Sequence, residues 1–229
     1  MASRPLHVRP TAPLAERALL PGDPGRALAL AQALLDAPKM FNHNRGLWGY
    51  TGTAADGEPL TIQSTGMGGP SAAIVLEELC DLGLRRAVRV GTCGALDGSL
   101  KLGELVAARE VLAADGASRA LGAGERVAPD PALQRALEAR ADHAGLVVST
   151  DLFYDPRPGR AREWLDAGAI AVEMEAATVL AVAARRGVRA ACLLTVSDSE
   201  PGGGERIGDE RLGAAAERLG RAALTALGR

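Results

Sequence analysis

The segment Ala169-Ile170-Ala171-Val172-Glu173-Met174-Glu175 delivers two carboxylates at the end of an apolar run. That run predicts a buried strand ending at Glu175, and the small-residue stretch Ala176–Arg186, closed by Gly187, predicts a helix behind it. Carboxylates leaving a buried strand are costly unless something pairs with them. In an open α/β sheet, ligands gather outside the carboxyl ends of the strands. A carboxylate there can hold the vicinal hydroxyls of a sugar through charge-assisted hydrogen bonds.

Four further segments carry chemistry-capable groups. Gly22-Asp23-Pro24-Gly25-Arg26 lies between a predicted strand and a predicted helix, where helix-start amides and a guanidinium fork suit an anion; an ordinary turn with a surface arginine is the competing reading. Arg89-Val90-Gly91-Thr92-Cys93-Gly94 ends an apolar strand with a cation, a hydroxyl and two glycines. A buried cation there needs an anionic partner, and an arginine facing solvent is the alternative. Cys93 reads as a small buried residue rather than a nucleophile. Gly66-Met67-Gly68-Gly69-Pro70-Ser71 narrowly misses the G-x-G-x-x-G dinucleotide fingerprint, and the next strand ends in Arg89 instead of an acid, which disfavours a dinucleotide. In Thr195-Val196-Ser197-Asp198 an aspartate emerges from an apolar strand, positioned as a general acid or, alternatively, as a turn or cap residue. No G-x-S-x-G elbow and no Walker sequence occurs.

The elements that must position these groups alternate along the chain. Strands are expected at Arg17–Leu20, Gly46–Thr53, Glu58–Thr65, Arg86–Val90, Glu104–Leu112, Leu146–Thr150, Ala169–Glu175 and Val188–Val196. Helices are expected at Arg26–Leu35, Ser71–Leu82, Pro131–His143, Gly159–Ala167, Ala176–Arg186 and Asp209–Leu227, with a Gly-rich surface excursion from Ala114 to Pro129. The class is α/β, with a central mixed sheet flanked by helices in a single domain over residues 1–229.

Composition narrows the function. The chain of 229 residues has a formal net charge of -2, which argues against a general nucleic-acid binder. Aromatics make up only 3%, so the core is built from Ala, Val and Leu. Three scattered cysteines and three histidines lack zinc or disulfide spacing, so no metal is expected. No signal-peptide core or 18-residue apolar run is present, so a cytoplasmic protein without membrane partners is expected.

Together the segments GDPGRA (22–27), NRGLWGYTG (44–52), TGMGGPSAAIVLEEL (65–79), RVGTCGAL (89–96), DLFY (151–154), VEMEAAT (172–178) and TVSD (195–198) resemble, in order and spacing, the hexameric-type nucleoside phosphorylase family, which includes bacterial purine nucleoside and uridine phosphorylases. The resemblance spans about His7 to Arg211. It implies attack of inorganic phosphate, a co-substrate, on C1′ of a nucleoside, with no metal or organic cofactor. By motif position it implies phosphate held by Gly22, Arg26, Arg89 and Thr92, with Arg45 reaching in from a neighbouring subunit. It further implies ribose contacts from Met174 and Glu175, with His7 covering the sugar from across a dimer, and base contacts from Phe153, Val172 and Glu173. Asp198 would protonate a purine at N7, assisted by Arg211 or, if the unusual loop 199–206 shifts the register, by Arg206. A homo-oligomer, a hexamer built from dimers, is implied as well.

Uridine phosphorylases carry a Gln and Arg pair in the segment that here reads Asp155-Pro156-Arg157-Pro158-Gly159-Arg160-Ala161-Arg162, without glutamine. Together with Asp198 this favours the purine branch and a role in purine salvage; uridine or 5′-methylthioadenosine phosphorolysis are the alternatives. A hydrolytic nucleosidase would not need Arg26, Arg45 and Arg89, and a non-catalytic nucleoside-binding protein would not need Asp198 and Glu175 together.

Overall fold

The computed structural model describes residues 5–199 and 204–228 of the chain. Its strands are β1 (Arg17–Leu20), β2 (Leu35–Asn42), β3 (Gly49–Ala54), β4 (Pro59–Gln63), β5 (Arg86–Ala95), β6 (Leu105–Ala114), β7 (Arg126–Val127), β8 (His143–Thr150), β9 (Ala169–Glu173) and β10 (Arg189–Asp198). The helices are α1 (Pro24–Leu34), α2 (Gly69–Asp81), α3 (Gly116–Ala120), α4 (Pro131–Glu138), α5 (Arg160–Asp166), α6 (Ala176–Arg186) and α7 (Asp209–Leu227). All ten strands join one mixed sheet, in the order β10-β6-β8-β9-β5-β1-β4-β3-β2 with β7 beside β6. Because β10 also pairs with β5, the strands β5, β10, β6, β8 and β9 close into a ring, from which β1, β4, β3 and β2 extend as an open wing.

Side-chain alternation along the strands feeds two cores. Ala87 and Cys93 of β5, with Ala190, Cys192 and Leu194 of β10, pack towards α2 and α6. Val88, Val90, Ala191 and Leu193 point the other way, towards α1, α4 and α7. Arg89 and Gly91 therefore share a strand face with Ala87 and Cys93. Burial on both sides explains the continuous apolar reading of β10. Among the described residues no helix is long and apolar enough to cross a membrane.

The structure departs from the sequence reading at several element ends, among them β9, which stops at Glu173 so that Glu175 stands at the N-cap of α6, and in the following places. β5 runs on to Ala95 instead of ending at Val90: β10 pairs with it from Arg86 to Gly94, and β9 takes its last two residues, so Gly91 and Gly94 are held in a ladder despite their weak strand preference. Leu35–Asn42 forms β2, an irregular edge strand broken by bulges around Ala37 and Pro38, where proline hides the strand signal. Within the stretch read as a surface excursion, Asp115 and Ser118 are fully buried. Asp115 caps α3 and accepts a hydrogen bond from Thr178 Oγ1 at 2.7 Å. Finally, α4 stops at Glu138 and β8 already starts at His143. Of the loop expected after Asp198, residues 200–203, including Pro201 and two of the three glycines, lie outside the described residues.

Candidate active site

The ring and the wing meet at β5, and the carboxyl ends of β1, β5, β9 and β10 open into a cleft of about 1170 Å³. Its floor is an ion cluster. Arg89 is only 3% exposed, and Glu173 and Glu175 are each 5% exposed. Arg89 Nε donates to Glu173 Oε2 at 2.7 Å, and Nη2 donates to Glu175 Oε2. Arg89 Nη1 is buried and has no hydrogen-bond partner among the described residues. It faces Gly22, where a Cβ would lie 4.0 Å away. Burial opposes a charge on Arg89, but Glu175 and Glu173 outweigh it and hold the guanidinium protonated.

The guanidinium fits because residue 91 has no side chain. A Cβ at Gly91 would sit 2.7 Å from Arg89 Nη2 and 3.0 Å from Cζ. Two positions along a strand share a face, so Arg89 curls back over the gap that Gly91 leaves. That i, i+2 pairing is visible in the sequence, yet the glycine there reads as a strand terminator.

The two glutamates have different freedom. Glu173 accepts from the Ser149 hydroxyl, from Ala176 N at 2.9 Å on both oxygens, from Glu175 N at 2.8 Å and from Arg89 Nε. Its lone pairs are taken up by protein donors, although Glu173 also lines the cleft. Among the described residues Glu175 accepts from Arg89 Nη2 and, at 2.5 Å, from Gly68 N, and so keeps acceptor capacity towards the cleft. The Gly68 amide is aimed at Glu175 by a backbone φ of 86°, a conformation that favours glycine. Burial raises the Glu175 carboxyl above its usual range, against the pull of Arg89, and Glu173 adds to the rise.

Arg26 and Thr92 complete the cationic side of the cleft together with Gly22. Burial lowers the Arg26 guanidinium from its usual value, with Asp23 acting in the opposite sense and neighbouring Arg89 adding to the fall. The start of α1 is not itself a free anion cradle: Asp23 caps it, accepting from Arg26 N at 2.6 Å. Opposite lie Met174, Val172 and Phe153, with Phe153 46% exposed and edge-on to Tyr154 at a centroid distance of 4.9 Å. Arg160, stacked over Trp164 at 5.1 Å, also lines this wall. Burial, reinforced by Glu173, pushes the Cys93 thiol up, as befits a packed side chain and not a thiolate.

Asp198 reaches the cleft from the bulged end of β10, paired with Gly94. Its Oδ2 accepts from Ser197 Oγ at 2.7 Å, and Oδ1 lies 2.8 Å from Arg206 Nε. Arg211, the first partner expected, instead donates to Leu102 O at 3.3 Å. The reason is local: Arg206 forms a backbone bridge with Asp198, whereas Arg211 already belongs to α7.

His7 and Arg45 do not line the cleft of their own chain. His7 Nδ1 lies 2.8 Å from Glu78 Oε1, and that carboxylate also accepts the amides of Leu6, His7 and Val8. Arg45 is exposed, in the 3-10 turn Asn44–Gly46, with a left-handed φ of 59° that is uncommon for a residue with a side chain. The sequence gives no sign of Ser149, no separate role to Ser197, and no hint that Gly91 makes room for the Arg89 guanidinium. Ser149 has no local signal, since only the β8–β9 register sets it opposite Glu173.

Comparison with known proteins follows the same lines. Residues 16–227 match the Phosphorylase superfamily. The chain is 36% identical over 207 residues to a purine nucleoside phosphorylase DeoD-type of Alkaliphilus metalliredigens, an alignment covering 86% of this chain and 88% of that protein. A second protein with the same description, from Geobacillus kaustophilus, is 37% identical over 210 residues, 88% of each chain. A guanosine phosphorylase of Halorubrum lacusprofundi is 39% identical over 201 residues, 85% of this chain and 83% of the other.

Proposed function

The chain belongs to the phosphorylase superfamily, and from that premise we propose that it is a purine nucleoside phosphorylase. The reaction is a pentosyl transfer: the N-glycosidic bond of a purine (deoxy)ribonucleoside is cleaved by phosphate, giving free base and (deoxy)ribose 1-phosphate. One observation carries the reading. A buried guanidinium, Arg89, keeps at the cleft floor, beside Gly22, a donor without a partner among the described residues, while Nε and Nη2 are fixed on Glu173 and Glu175. An orphaned buried donor is costly, and an oxyanion is the ligand that removes the cost.

In this reading Arg89 Nη1, Arg26, Thr92 and the Gly22 backbone hold phosphate. Glu175 spends its remaining lone pairs on the ribose hydroxyls, with Met174 against the sugar. Phe153 and Val172 take the base. As the glycosidic bond breaks, positive charge builds on the ribose, and a phosphate fixed beneath C1′ stabilises it. Holding the nucleophile in line also removes much of the entropic barrier. Asp198 delivers a proton to N7 of the leaving base, oriented by Ser197 and Arg206; such acid catalysis contributes about 10²–10⁴-fold. No resident metal or organic cofactor is called on.

His7 and Arg45 are assigned to a neighbouring subunit's cleft, which makes the working unit at least a dimer and, on family resemblance, a cytoplasmic hexamer. Their place outside their own cleft and the left-handed backbone at Arg45 support this. A hydrolytic nucleosidase is the nearest alternative, but water has no use for the Arg26 and Arg89 pair. Initial rates on inosine, guanosine, adenosine, 5′-methylthioadenosine and uridine, with and without phosphate, test the proposal. Cleavage of purine nucleosides only when phosphate is present is expected; equal rates without phosphate would overturn it.

A further inference from the structure

We propose that Ser149 and Glu173 are positioning residues that set the direction of Arg89, and through it the affinity for phosphate. The inference rests on the phosphorolysis reading for its kinetic consequence, though not for its geometry. Glu173 sits at the end of β9 with both oxygens occupied, and Ser149 lies opposite it in the parallel β8–β9 register. The Ser149 hydroxyl donates to Glu173 Oε1 and accepts from Ala177 N at 2.8 Å. One hydroxyl thus ties the end of β8 to the first turn of α6 and removes the last freedom of the carboxylate.

Glu173 in turn holds Arg89 Nε, while Glu175 holds Nη2. A planar guanidinium held at two of its three nitrogens has one remaining direction for Nη1. Glu175 alone could not fix that direction, because a single contact leaves the plane free to rotate. Ser149 is fully buried and the Glu173 side chain is 1% exposed, so water cannot replace either contact. Ser149 does not line the cleft, and its side-chain contact to the cleft floor among the described residues runs through Glu173 to Arg89.

Ser149→Ala, Glu173→Gln and the double variant are compared with the unaltered protein, measuring KM for phosphate, KM for nucleoside, kcat and the Tm rise given by sulfate. Ser149→Ala is expected to raise KM for phosphate about ten-fold and leave the nucleoside KM within about two-fold, as loss of one buried hydrogen bond suggests. Glu173→Gln is expected to do more, and adding Ser149→Ala to it to change little further, because the two act in series. The sulfate-induced Tm rise should shrink in the same order. A fall in Tm with both KM values unchanged, or an equal rise in both, would overturn the inference; if Glu173→Gln does not fold, Ser149→Ala decides alone. Phosphate-independent cleavage by the unaltered protein would sink the functional reading instead, and the sulfate series would still test the alignment of Arg89.

Discussion

Arg206 Nε lies 2.8 Å from Asp198 Oδ1, and the two residues also bridge through their backbones across the loop between β10 and α7. The Arg206 side chain is 72% exposed, so this pair adds little stability. Its consequence is orientation: with Ser197 on the other oxygen, the carboxyl is held at the cleft edge. Arg206→Ala should therefore leave Tm unchanged and lower kcat on inosine, and it should do so more than Arg211→Ala. Steady-state rates at saturating phosphate decide it. A larger loss for Arg211→Ala would mean that the pairing seen here is not the working one.

The acid role assigned to Asp198 has its own signature. Asp198→Asn should lose far more turnover on inosine, about 10²-fold or more, than on 7-methylguanosine, whose base already carries positive charge. Equal losses on both nucleosides would remove Asp198 from proton donation.

Gly91 gives a test of the cleft floor that touches no charged group. Gly91→Ala puts a methyl 2.7 Å from Arg89 Nη2 and 3.2 Å from Leu194 Cδ2, and the guanidinium must move. KM for phosphate should rise at least about ten-fold, with a Tm loss corresponding to about 1–3 kcal/mol of overpacking. An unchanged KM for phosphate would show that Arg89 does not need the position described.

Much of this was legible in the residues themselves. The alternation of strands and helices, the two glutamates at the junction of β9 and α6 and the Gly22–Arg26 turn all announce themselves through local composition, and the cleft gathers ten of the thirteen residues singled out beforehand. What stayed hidden depends on register. Glu173 and Glu175 look equivalent in the chain, and only the donors brought by Ser149, Gly68 and Arg89 separate the saturated carboxylate from the open one. The choice between Arg211 and Arg206 stayed open because the loop before α7 has no periodicity to fix its register. The continuation of β5 through Gly91 and Gly94 was concealed because ladder partners arrive from β9 and β10, far along the chain.

A pH effect on stability is expected far from the cleft. Arg17, 2% exposed at the start of β1, donates from Nη1 and Nη2 to Asp56, each at 2.6 Å. That interaction, working against partial burial, holds the Asp56 carboxyl at about 2, below its ordinary 3.8. A carboxyl depressed in the folded state contributes stability above its unfolded value and loses it as pH falls through the folded one. The stability gap between the unaltered protein and Asp56→Asn should thus be full above about pH 4 and close towards pH 2, as read from urea unfolding across that range. A gap independent of pH would show that the pair does not titrate as described.

In the proposed reaction phosphate, gripped by Arg89 and Arg26, is the nucleophile. Phosphorus NMR of a reaction containing guanosine and inorganic phosphate reads this directly. A sugar 1-phosphate resonance growing in proportion to the guanine released is expected. Guanine released together with free ribose, while the phosphate signal stays constant, would contradict it.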